Sequence, residues 1–440
     1  MTITHNNLIF NAQPAQKLTG RLRVPGDKSI SHRSIMFGSL AEGTTRISGF
    51  LEGDDSLATL AAFRAMGVVI DGPDNGNVTV HGVGMHGLKA PNGVLDLGNS
   101  GTSMRLLSGL MAGQAFDVTM TGDDSLSKRP MKRVTEPLAL MGAKIDTTAT
   151  GTAPLIVHGG APLSAIHYQM PMASAQVKSC VLLAGMYAQG TTCVTEPAPT
   201  RDHTERMLQG FGYVLKCQEN KVCLEGGGKL HATDIVVPAD ISSAAFFLVG
   251  ASIASGSDLV LDQVGINPTR IGVINILRAM GADIEMRNER IVGGEPVADL
   301  AVRGAPLRGI TIPENEVPLA IDEFPVLFVA AACAQGTTVL TGAEELRVKE
   351  SDRIQVMADG LKTLGIEAHP TADGMVIQGG QIGGGEVQSH GDHRIAMAFA
   401  VASLRASQPI TIHDCANVNT SFPNFVALAN SIGLAIQAST

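Results

Sequence analysis

The residues best suited to chemistry begin with Lys28, Ser29 and Arg33, which follow a Pro-Gly turn and precede an apolar run. Ser29 or Ser31 can cap a helix that starts here. Unpaired backbone N–H groups and the positive end of the helix dipole would then lie beside hydroxyls and cations. The stretch predicts an anion site, although an ordinary capped helix with two solvated cations fits it equally well. A Walker A loop is excluded, because Asp27 stands where that motif needs glycine.

Similar polar clusters precede other apolar, helix-like segments of the chain. Gly98–Thr102 leads into one, Ser174-Ala175-Gln176 into a second, and Asp392-His393-Arg394 into a third. If these helix starts face one cleft, their dipoles converge there and favour a ligand with several negative charges. The cations that this cleft would collect are Lys28, Arg33, Arg129, Arg201, Lys349, Arg353 and Arg394. Arg105 lies inside an apolar helix, and we expect it to be structural.

Two carboxylates, Asp322 and Glu350, stand among these cations. A carboxylate in a basic anion site weakens ligand binding unless it has another task. Each could be a salt-bridge partner, or the pair could serve as general acid and base for proton transfer at a carbon or hydroxyl. No HExxH, paired CxxC or G-x-S-x-G motif is present, so we expect no metal site and no serine nucleophile.

Composition narrows the class of protein. The chain has 440 residues, 44% of them hydrophobic and 17% charged, which is typical of ordered domains. A net charge of −9 with few aromatic residues argues against a nucleic-acid surface. Residues 1–17 do not resemble a signal peptide, and no apolar run is long enough to span a bilayer. The six cysteines lack CxxC spacing and indicate reduced thiols in the cytoplasm.

A sixfold repeat organises the chain. Each repeat has a helix-like segment that ends in an apolar-x-Gly step before a strand, with the glycines roughly 70 to 85 residues apart. Those glycines, predicted to cap the helices in the left-handed conformation, are Gly67, Gly142, Gly212, Gly281, Gly365 and Gly433. A second, nearly all-apolar helix in each repeat predicts burial. An ordinary doubly wound sheet is the alternative, but it does not account for a sixfold period.

Six repeats predict two α/β domains of three β-α-β-α-β-β units each. We expect residues 22–239 to form the first domain. The second would comprise residues 240–440, with residues 1–21 packed against it. The substrates would bind in the cleft between the two domains.

Taken together, these motifs resemble the 5-enolpyruvylshikimate-3-phosphate (EPSP) synthase family, and their sequences are more similar to its second class than to its first. The most specific pieces are Gly26–Arg33, Gly98–Thr102, Lys128–Met131, Ser174–Lys178, Leu346–Arg353 and Asp392–Arg394. The resemblance implies an inside-out α/β barrel in each domain. It implies that the enzyme transfers the enolpyruvyl group of phosphoenolpyruvate to the 5-hydroxyl of shikimate 3-phosphate and needs no cofactor. We also expect the enzyme to be cytoplasmic and monomeric.

Site roles carry over from the resemblance motif by motif. Asp322 would accept the proton of the 5-hydroxyl, Glu350 would protonate the methylene carbon, and Lys28 would assist both substrates. The implied shikimate 3-phosphate ligands are Lys28, Ser29, Arg33, Ser174, Gln176, Arg201, Asp322 and Lys349. The implied phosphoenolpyruvate ligands are Lys28, Gly101, Arg129, Gln176, Arg353 and Arg394. Asn99, Ala175 and His393 join the site as neighbours within the same motifs.

The chain departs from the family pattern at three places, one of which is Ser125, where several relatives carry an arginine. Asn419-Thr420-Ser421 precede Phe422-Pro423 where many relatives carry a lysine, and Gly101 stands where glyphosate-tolerant relatives have alanine. Two other functions remain open on the sequence alone. A nucleotide-sugar enolpyruvyl transferase shares the fold but uses a loop cysteine, which residues 122–130 lack. A sensor of phosphorylated metabolites would not need the pair Asp322 and Glu350.

Overall fold

The computed structural model describes residues 8–440, and its internal contacts divide the chain into two compact units. We call residues 26–237 with 292–294 the N-terminal unit, and residues 8–25, 238–291 and 295–440 the C-terminal unit. The expected first domain began at Leu22, but Leu22 pairs with Leu261 in a sheet of the C-terminal unit. Whatever the sequence analysis predicts for residues 1–7 lies outside the described residues.

Twelve α-helices occur in residues 8–440. They are α1 (Lys28–Leu40), α2 (Asp54–Ala65), α3 (Gly101–Ala112), α4 (Lys132–Leu140), α5 (Ala175–Gly185), α6 (His203–Gly210), α7 (Ile241–Ile253), α8 (Gly272–Ala279), α9 (Phe324–Cys333), α10 (Arg353–Thr363), α11 (His393–Ala402) and α12 (Phe425–Ser431).

The same part of the chain has twenty-four strands. They are β1 (Ile9–Ala12), β2 (Thr19–Leu22), β3 (Ala41–Ser48), β4 (Val69–Asp74), β5 (Asn77–Val83), β6 (Leu95–Asp96), β7 (Val118–Thr121), β8 (Lys144–Asp146), β9 (Leu155–His158), β10 (His167–Gln169), β11 (Thr191–Thr195), β12 (Leu215–Gln218), β13 (Lys221–Glu225), β14 (Leu230–His231), β15 (Ile235–Val236), β16 (Asp258–Gly265), β17 (Asp283–Val292), β18 (Glu295–Arg303), β19 (Thr337–Leu340), β20 (Glu367–Pro370), β21 (Met375–Gln378), β22 (Gly385–Gln388), β23 (Ile410–His413) and β24 (Ile436–Ser439).

The N-terminal unit has three sheets, one for each repeat. Their strand orders are β14-β3-β5-β4, β6-β7-β9-β8 and β10-β11-β13-β12, with β15 also pairing with β3. In each sheet the strand that follows the buried helix has an antiparallel neighbour on one side and a parallel neighbour on the other, and for β3 the parallel side holds both β14 and β15. The parallel neighbours of β3 come from the end of the third repeat, so the three repeats close into a ring.

The C-terminal unit repeats this plan with the orders β17-β18-β16-β2, β19-β21-β20 and β22-β23-β1-β24. Two of its strands come from the beginning of the chain. β2 lies parallel to β16, while β1 lies antiparallel to both β23 and β24. In the last sheet β1 therefore occupies the place that the final strand of the repeat occupies in the other sheets.

The inner helices are nearly all apolar, and the structure buries them as predicted. Every residue of α7 is buried, as is every residue of α1 from Ile30 onwards. The second helix of each repeat is amphipathic, and α4 buries only Val134, Pro137 and Leu138. Each unit has its own hydrophobic core. Helices on the inside and sheets on the outside make each unit an inside-out α/β barrel, which confirms the predicted fold class.

The six predicted capping glycines all have positive φ, between 83° at Gly212 and 123° at Gly433. This conformation costs glycine little, because it has no Cβ. The prediction of left-handed helix caps is therefore confirmed at every repeat.

The expectation that all cysteines are reduced is wrong for one pair in the N-terminal unit. Cys193 of β11 lies directly opposite Cys223 of β13, and a disulfide joins them. The sequence could not reveal the pair, because their contact depends on the register of two strands that are 30 residues apart. Cys180, Cys217, Cys333 and Cys415 are free thiols.

Candidate active site

The first polar cluster lies at the start of α1, but its cap differs from the predicted one. The side chain of Asp27 accepts a hydrogen bond of 2.8 Å from the backbone N–H of Ile30, so Asp27 is the N-cap. Ser29 is inside the helix, and the Ser31 hydroxyl accepts from the N–H of Leu51. Gly26 is required just before this turn, because a Cβ there would lie 1.9 Å from a backbone oxygen.

Lys28 and Arg33 extend from α1 into different surroundings. The ammonium of Lys28 lies 2.9 Å from a carboxylate oxygen of Asp55, and both side chains are largely buried. The guanidinium of Arg33 is buried and donates to the hydroxyls of Thr204 and Ser179 at 2.7 and 3.0 Å. Arg33 therefore links α1 to α5 and α6, in addition to any role in binding an anion.

A chain of hydroxyl groups connects the starts of α1 and α3 with α2. The ring Nδ1 of His32 contacts Thr59 at 2.7 Å, and the Thr59 hydroxyl contacts that of Ser103 at 2.6 Å. Ser100, the N-cap of α3, contacts Ser103 in turn at 2.6 Å. Burial, together with the charges of Lys28 and Arg33, lowers the pKa of His32 well below its ordinary value. His32 is therefore a neutral packing group at neutral pH.

Gly101 is the first residue of α3 and lies under two guanidinium groups. A Cβ at this position would be 3.1 Å from Nη1 of Arg129 and 3.5 Å from Nη1 of Arg105. Arg129 itself donates to Asn99, with 2.7 Å to its side-chain oxygen and 3.2 Å to its backbone carbonyl, and to Ser125 at 3.1 Å. Asn99, Gly101 and Arg129 thus form one compact cluster.

Arg105, expected to be structural, lies beside this cluster. Its guanidinium donates to the side-chain oxygen of Gln176, whose amide donates to Thr102 at 3.0 Å. Arg105 stands one helical turn after Gly101, on the same face of α3. That i, i+4 spacing was the signal in the sequence that could have identified Arg105.

The start of α5 is capped by Ser174, whose hydroxyl accepts from the N–H of Val177, and Ala175 and Gln176 form its first turn. Two residues on, Lys178 is only 1% exposed and lies 3.0 Å from Glu196 and 2.7 Å from Glu205. Burial lowers the pKa of Lys178, but the two glutamates outweigh that effect and raise it above the ordinary value.

This buried ion cluster fixes the loop that carries Arg201. The ammonium of Lys178 lies 3.5 Å from the backbone carbonyl of Thr200, and the Thr200 hydroxyl donates to Glu196 at 2.5 Å. Arg201 follows Thr200 directly and is half-buried. Sequence reasoning missed the glutamates, because the three charges come from separate segments without a local pattern.

In the C-terminal unit, Arg353 binds three carboxylates. Its side chain is 1% exposed and lies 2.8 Å from Asp392, 2.7 Å from Glu350 and 3.4 Å from Asp322. Burial lowers the pKa of Arg353, but the charges of Asp392, Glu350 and Asp322 outweigh that effect and raise the pKa above its ordinary value. The guanidinium therefore remains charged. Arg353 is the first residue of α10, and Asp392 is the N-cap of α11.

The two candidate acid–base residues are more accessible than this arginine. The side chains of Asp322 and Glu350 are 15% and 20% exposed. Lys349 lies 3.5 Å from Asp322 and 3.0 Å from Glu345. Arg394, on α11, donates to the backbone carbonyl of Asp322 at 3.1 Å. The C-terminal unit therefore gathers Asp322, Lys349, Glu350, Arg353 and Arg394 in one place, with the buried His393 beside them.

Such an arrangement can bind anions and move protons. Within residues 8–440, no group of three or more histidine, cysteine, aspartate or glutamate side chains is placed to hold a metal ion. Over the same range, no helix combines the length and the apolar character needed to cross a membrane.

Comparison with known proteins points to one family. The family model described as EPSP synthase (3-phosphoshikimate 1-carboxyvinyltransferase) matches residues 12–428. A protein named 3-phosphoshikimate 1-carboxyvinyltransferase from Methylococcus capsulatus is 70% identical over 433 residues, covering 98% of this chain and 99% of its own. One with the same name from Alkalilimnicola ehrlichii is 70% identical over 428 residues, covering 97% and 96%.

Solved structures agree with these relatives. EPSP synthase from Acinetobacter baumannii is 62% identical and superposes with a TM-score of 0.88, covering 99% of this chain and all of its own. The enolpyruvyl transferase NikO from Streptomyces tendae has a TM-score of 0.80 at 16% identity, and it covers 99% of each chain. At that identity the likeness concerns the fold alone.

Proposed function

Because the chain belongs to the EPSP synthase family, the 3-phosphoshikimate 1-carboxyvinyltransferases, we propose that Asp322 and Glu350 are its catalytic base and acid. The reaction transfers the enolpyruvyl group of phosphoenolpyruvate to the 5-hydroxyl of shikimate 3-phosphate and releases phosphate. It requires one proton to leave a hydroxyl and another to reach the methylene carbon, so a base and an acid must act close together.

The observation that carries this assignment is that both carboxylates are held by Arg353. Glu350 lies 2.7 Å and Asp322 lies 3.4 Å from its guanidinium, and both remain partly exposed. When the carboxylate of phosphoenolpyruvate approaches Arg353, it competes with these two side chains for the same N–H groups. Substrate binding would thereby release Asp322 and Glu350 toward the reacting atoms.

The steps then balance without any other group. Asp322 takes the proton of the 5-hydroxyl, and that oxygen forms a bond to C2 of phosphoenolpyruvate while Glu350 protonates C3. The tetrahedral intermediate loses a proton from C3 as its C2–O bond to phosphate breaks, and Glu350 recovers that proton. The departing phosphate takes up the proton that Asp322 removed, which regenerates the base, and the cations stabilise the remaining charge of the phosphate.

The remaining candidate residues are proposed as binding groups. The N-terminal unit would supply Lys28, Ser29, Arg33, Asn99, Gly101, Arg129, Ser174, Ala175, Gln176 and Arg201, and we add Arg105 to this set. The C-terminal unit would supply Lys349, Arg353, His393 and Arg394. We propose that the two sets act on the same pair of substrates, of which shikimate 3-phosphate takes mainly Arg33, Arg201 and Lys349.

Substitution of Asp322 by alanine tests the assignment. Phosphate release with both substrates should fall about a hundredfold or more, the usual scale for a general base. The fold should survive, because Arg353 keeps Asp392 and Glu350 as partners. Asp359→Ala, at an exposed position of α10, is the matched control and should keep its activity. Near-normal turnover in Asp322→Ala would overturn the proposed base.

We further infer that the enzyme is a monomer of the cytoplasm, belongs to the second class of the family, and binds neither nucleic acid nor membranes. The acidic net charge of −9 supports the absence of nucleic-acid binding. Sedimentation equilibrium at micromolar concentration measures the oligomeric state, and a dimeric mass would contradict the monomer.

A further inference from the structure

Glu323, the residue after the proposed base, has an unusual position. It stands at the N-cap of α9, yet its side chain makes no capping hydrogen bond. N-caps are usually serine, threonine, aspartate or asparagine, whose short side chains reach the free N–H groups of the first turn. The carboxylate of Glu323 is 2% exposed, so it is buried and directed elsewhere.

A directed chain of hydrogen bonds ends on Glu323. Arg270 donates to the hydroxyl oxygen of Ser242 at 2.6 Å, and Ser242 donates its proton to the carboxylate of Glu323. A hydroxyl has a single proton, so the bond from Arg270 fixes the direction in which Ser242 donates. Arg270 also lies 3.1 Å from Asp240, whose charge balances its own. Ser242 and Arg270 are both buried.

The negative charge of Glu323 faces Arg394. The distance from its carboxylate to Nη1 of Arg394 is 3.8 Å, and the same Nη1 donates to the backbone carbonyl of Asp322 at 3.1 Å. Since Asp240 balances Arg270, the charge of Glu323 is available to Arg394. One guanidinium is thus held by two consecutive residues, one of which is the proposed base.

We propose that Glu323 is a positioning residue for Arg394, and that Ser242 and Arg270 hold Glu323 in place. This rests on the proposed role of Arg394 in binding phosphoenolpyruvate. The buried charge keeps the guanidinium beside Asp322, with its other N–H groups directed to the incoming anion. Without that charge, Arg394 samples other rotamers, and phosphoenolpyruvate binds more weakly while shikimate 3-phosphate does not.

Steady-state kinetics of Glu323→Gln test this proposal, because glutamine can still accept from Ser242 but lacks the charge. The KM for phosphoenolpyruvate should rise about fivefold, a typical effect of one charge-assisted contact. The KM for shikimate 3-phosphate should change less than about twofold. Ser242→Ala should also raise the KM for phosphoenolpyruvate, but by a smaller factor. Glu314→Gln, an exposed change of the same charge in the same unit, should shift neither constant.

A double-mutant cycle separates positioning from a purely structural role. In an Arg394→Lys background, Glu323→Gln should add little further increase, because its effect passes through the arginine. Equal increases in both Michaelis constants, or full additivity in the cycle, would overturn the proposal. If the unmodified protein released no phosphate from phosphoenolpyruvate, the proposed function would fail instead. Calorimetric titration with phosphoenolpyruvate and shikimate 3-phosphate would then still compare the affinities of the variants.

Discussion

Replacing Lys178 by methionine should weaken both the fold and the binding of shikimate 3-phosphate. The ammonium is 1% exposed and bridges Glu196 and Glu205, which are also buried. Methionine fills the same space but leaves two buried carboxylates without their cation. Removing one partner of a buried ion pair costs about 3–5 kcal/mol. For a unit of this size, each kcal/mol lowers the melting temperature by about 2–4 °C. The expected loss is therefore roughly 10 °C.

The effect on binding follows from the loop that carries Arg201. Without Lys178, the carbonyl of Thr200 loses its contact, and Arg201 becomes less well placed. We expect the KM for shikimate 3-phosphate to rise several-fold, with a smaller change for phosphoenolpyruvate. Circular dichroism measures the melting temperature, and the phosphate-release assay measures both constants.

Two further variants make this result interpretable. Adding Glu205→Gln to Lys178→Met removes one of the two buried carboxylates that lack a cation, and it should recover part of the lost melting temperature. Lys144→Met is an exposed lysine-to-methionine change in the same unit and should cost less than about 0.5 kcal/mol. A Lys178→Met protein with unchanged melting temperature and unchanged KM would refute the role assigned to this ion cluster.

Three other outcomes can be measured directly. Gly101→Ala should raise the inhibition constant of glyphosate more than the KM for phosphoenolpyruvate, because the methyl lies 3.1 Å from Nη1 of Arg129 and crowds the bulkier ligand more; equal changes in steady-state inhibition assays would contradict this. Burial lowers the pKa of His32, so below pH 6.5 this histidine binds a proton in the unfolded chain but not in the folded chain. The free energy of unfolding therefore decreases as the pH is lowered. His32→Gln should reduce the loss in unfolding free energy between pH 7.5 and 5.5 by about 1.4 kcal/mol, measured by urea unfolding, and an unchanged loss would show that His32 does not cause it. Without reductant, iodoacetamide followed by peptide mass spectrometry should modify exposed Cys217 but neither Cys193 nor Cys223, and modification of either would contradict the disulfide.

Much of the fold could be predicted because its signals are local. A glycine such as Gly67 ends a helix for reasons contained in a few neighbouring residues, and an all-apolar helix such as α7 can only be buried. The polar clusters were found for the same reason, since a helix start needs capping groups. The cap of α1 was predicted wrongly, as Ser29 or Ser31 instead of Asp27, because all three side chains can make the same bond.

The parts that the sequence did not predict all depend on contacts between distant segments. Lys178 pairs with Glu196 and Glu205 across two loops, and Cys193 meets Cys223 only in one strand register. The sequence predicts Asp322 and Glu350 as an acid–base pair from their type and surroundings. That they share a single arginine could be learned only from the packing of α9 and α10.

The sheet pairing of β1 and β2 has a consequence for synthesis on the ribosome. All three sheets of the N-terminal unit are available once the chain reaches β15, near residue 237. The C-terminal unit must keep β1 unpaired until β23 and β24 emerge, about 400 residues later. At 5–20 residues per second, the last 200 residues take roughly 10–40 s. During that time β1 is an open strand edge, exposed to pairing with other nascent chains, whereas β2 can already pair with β16.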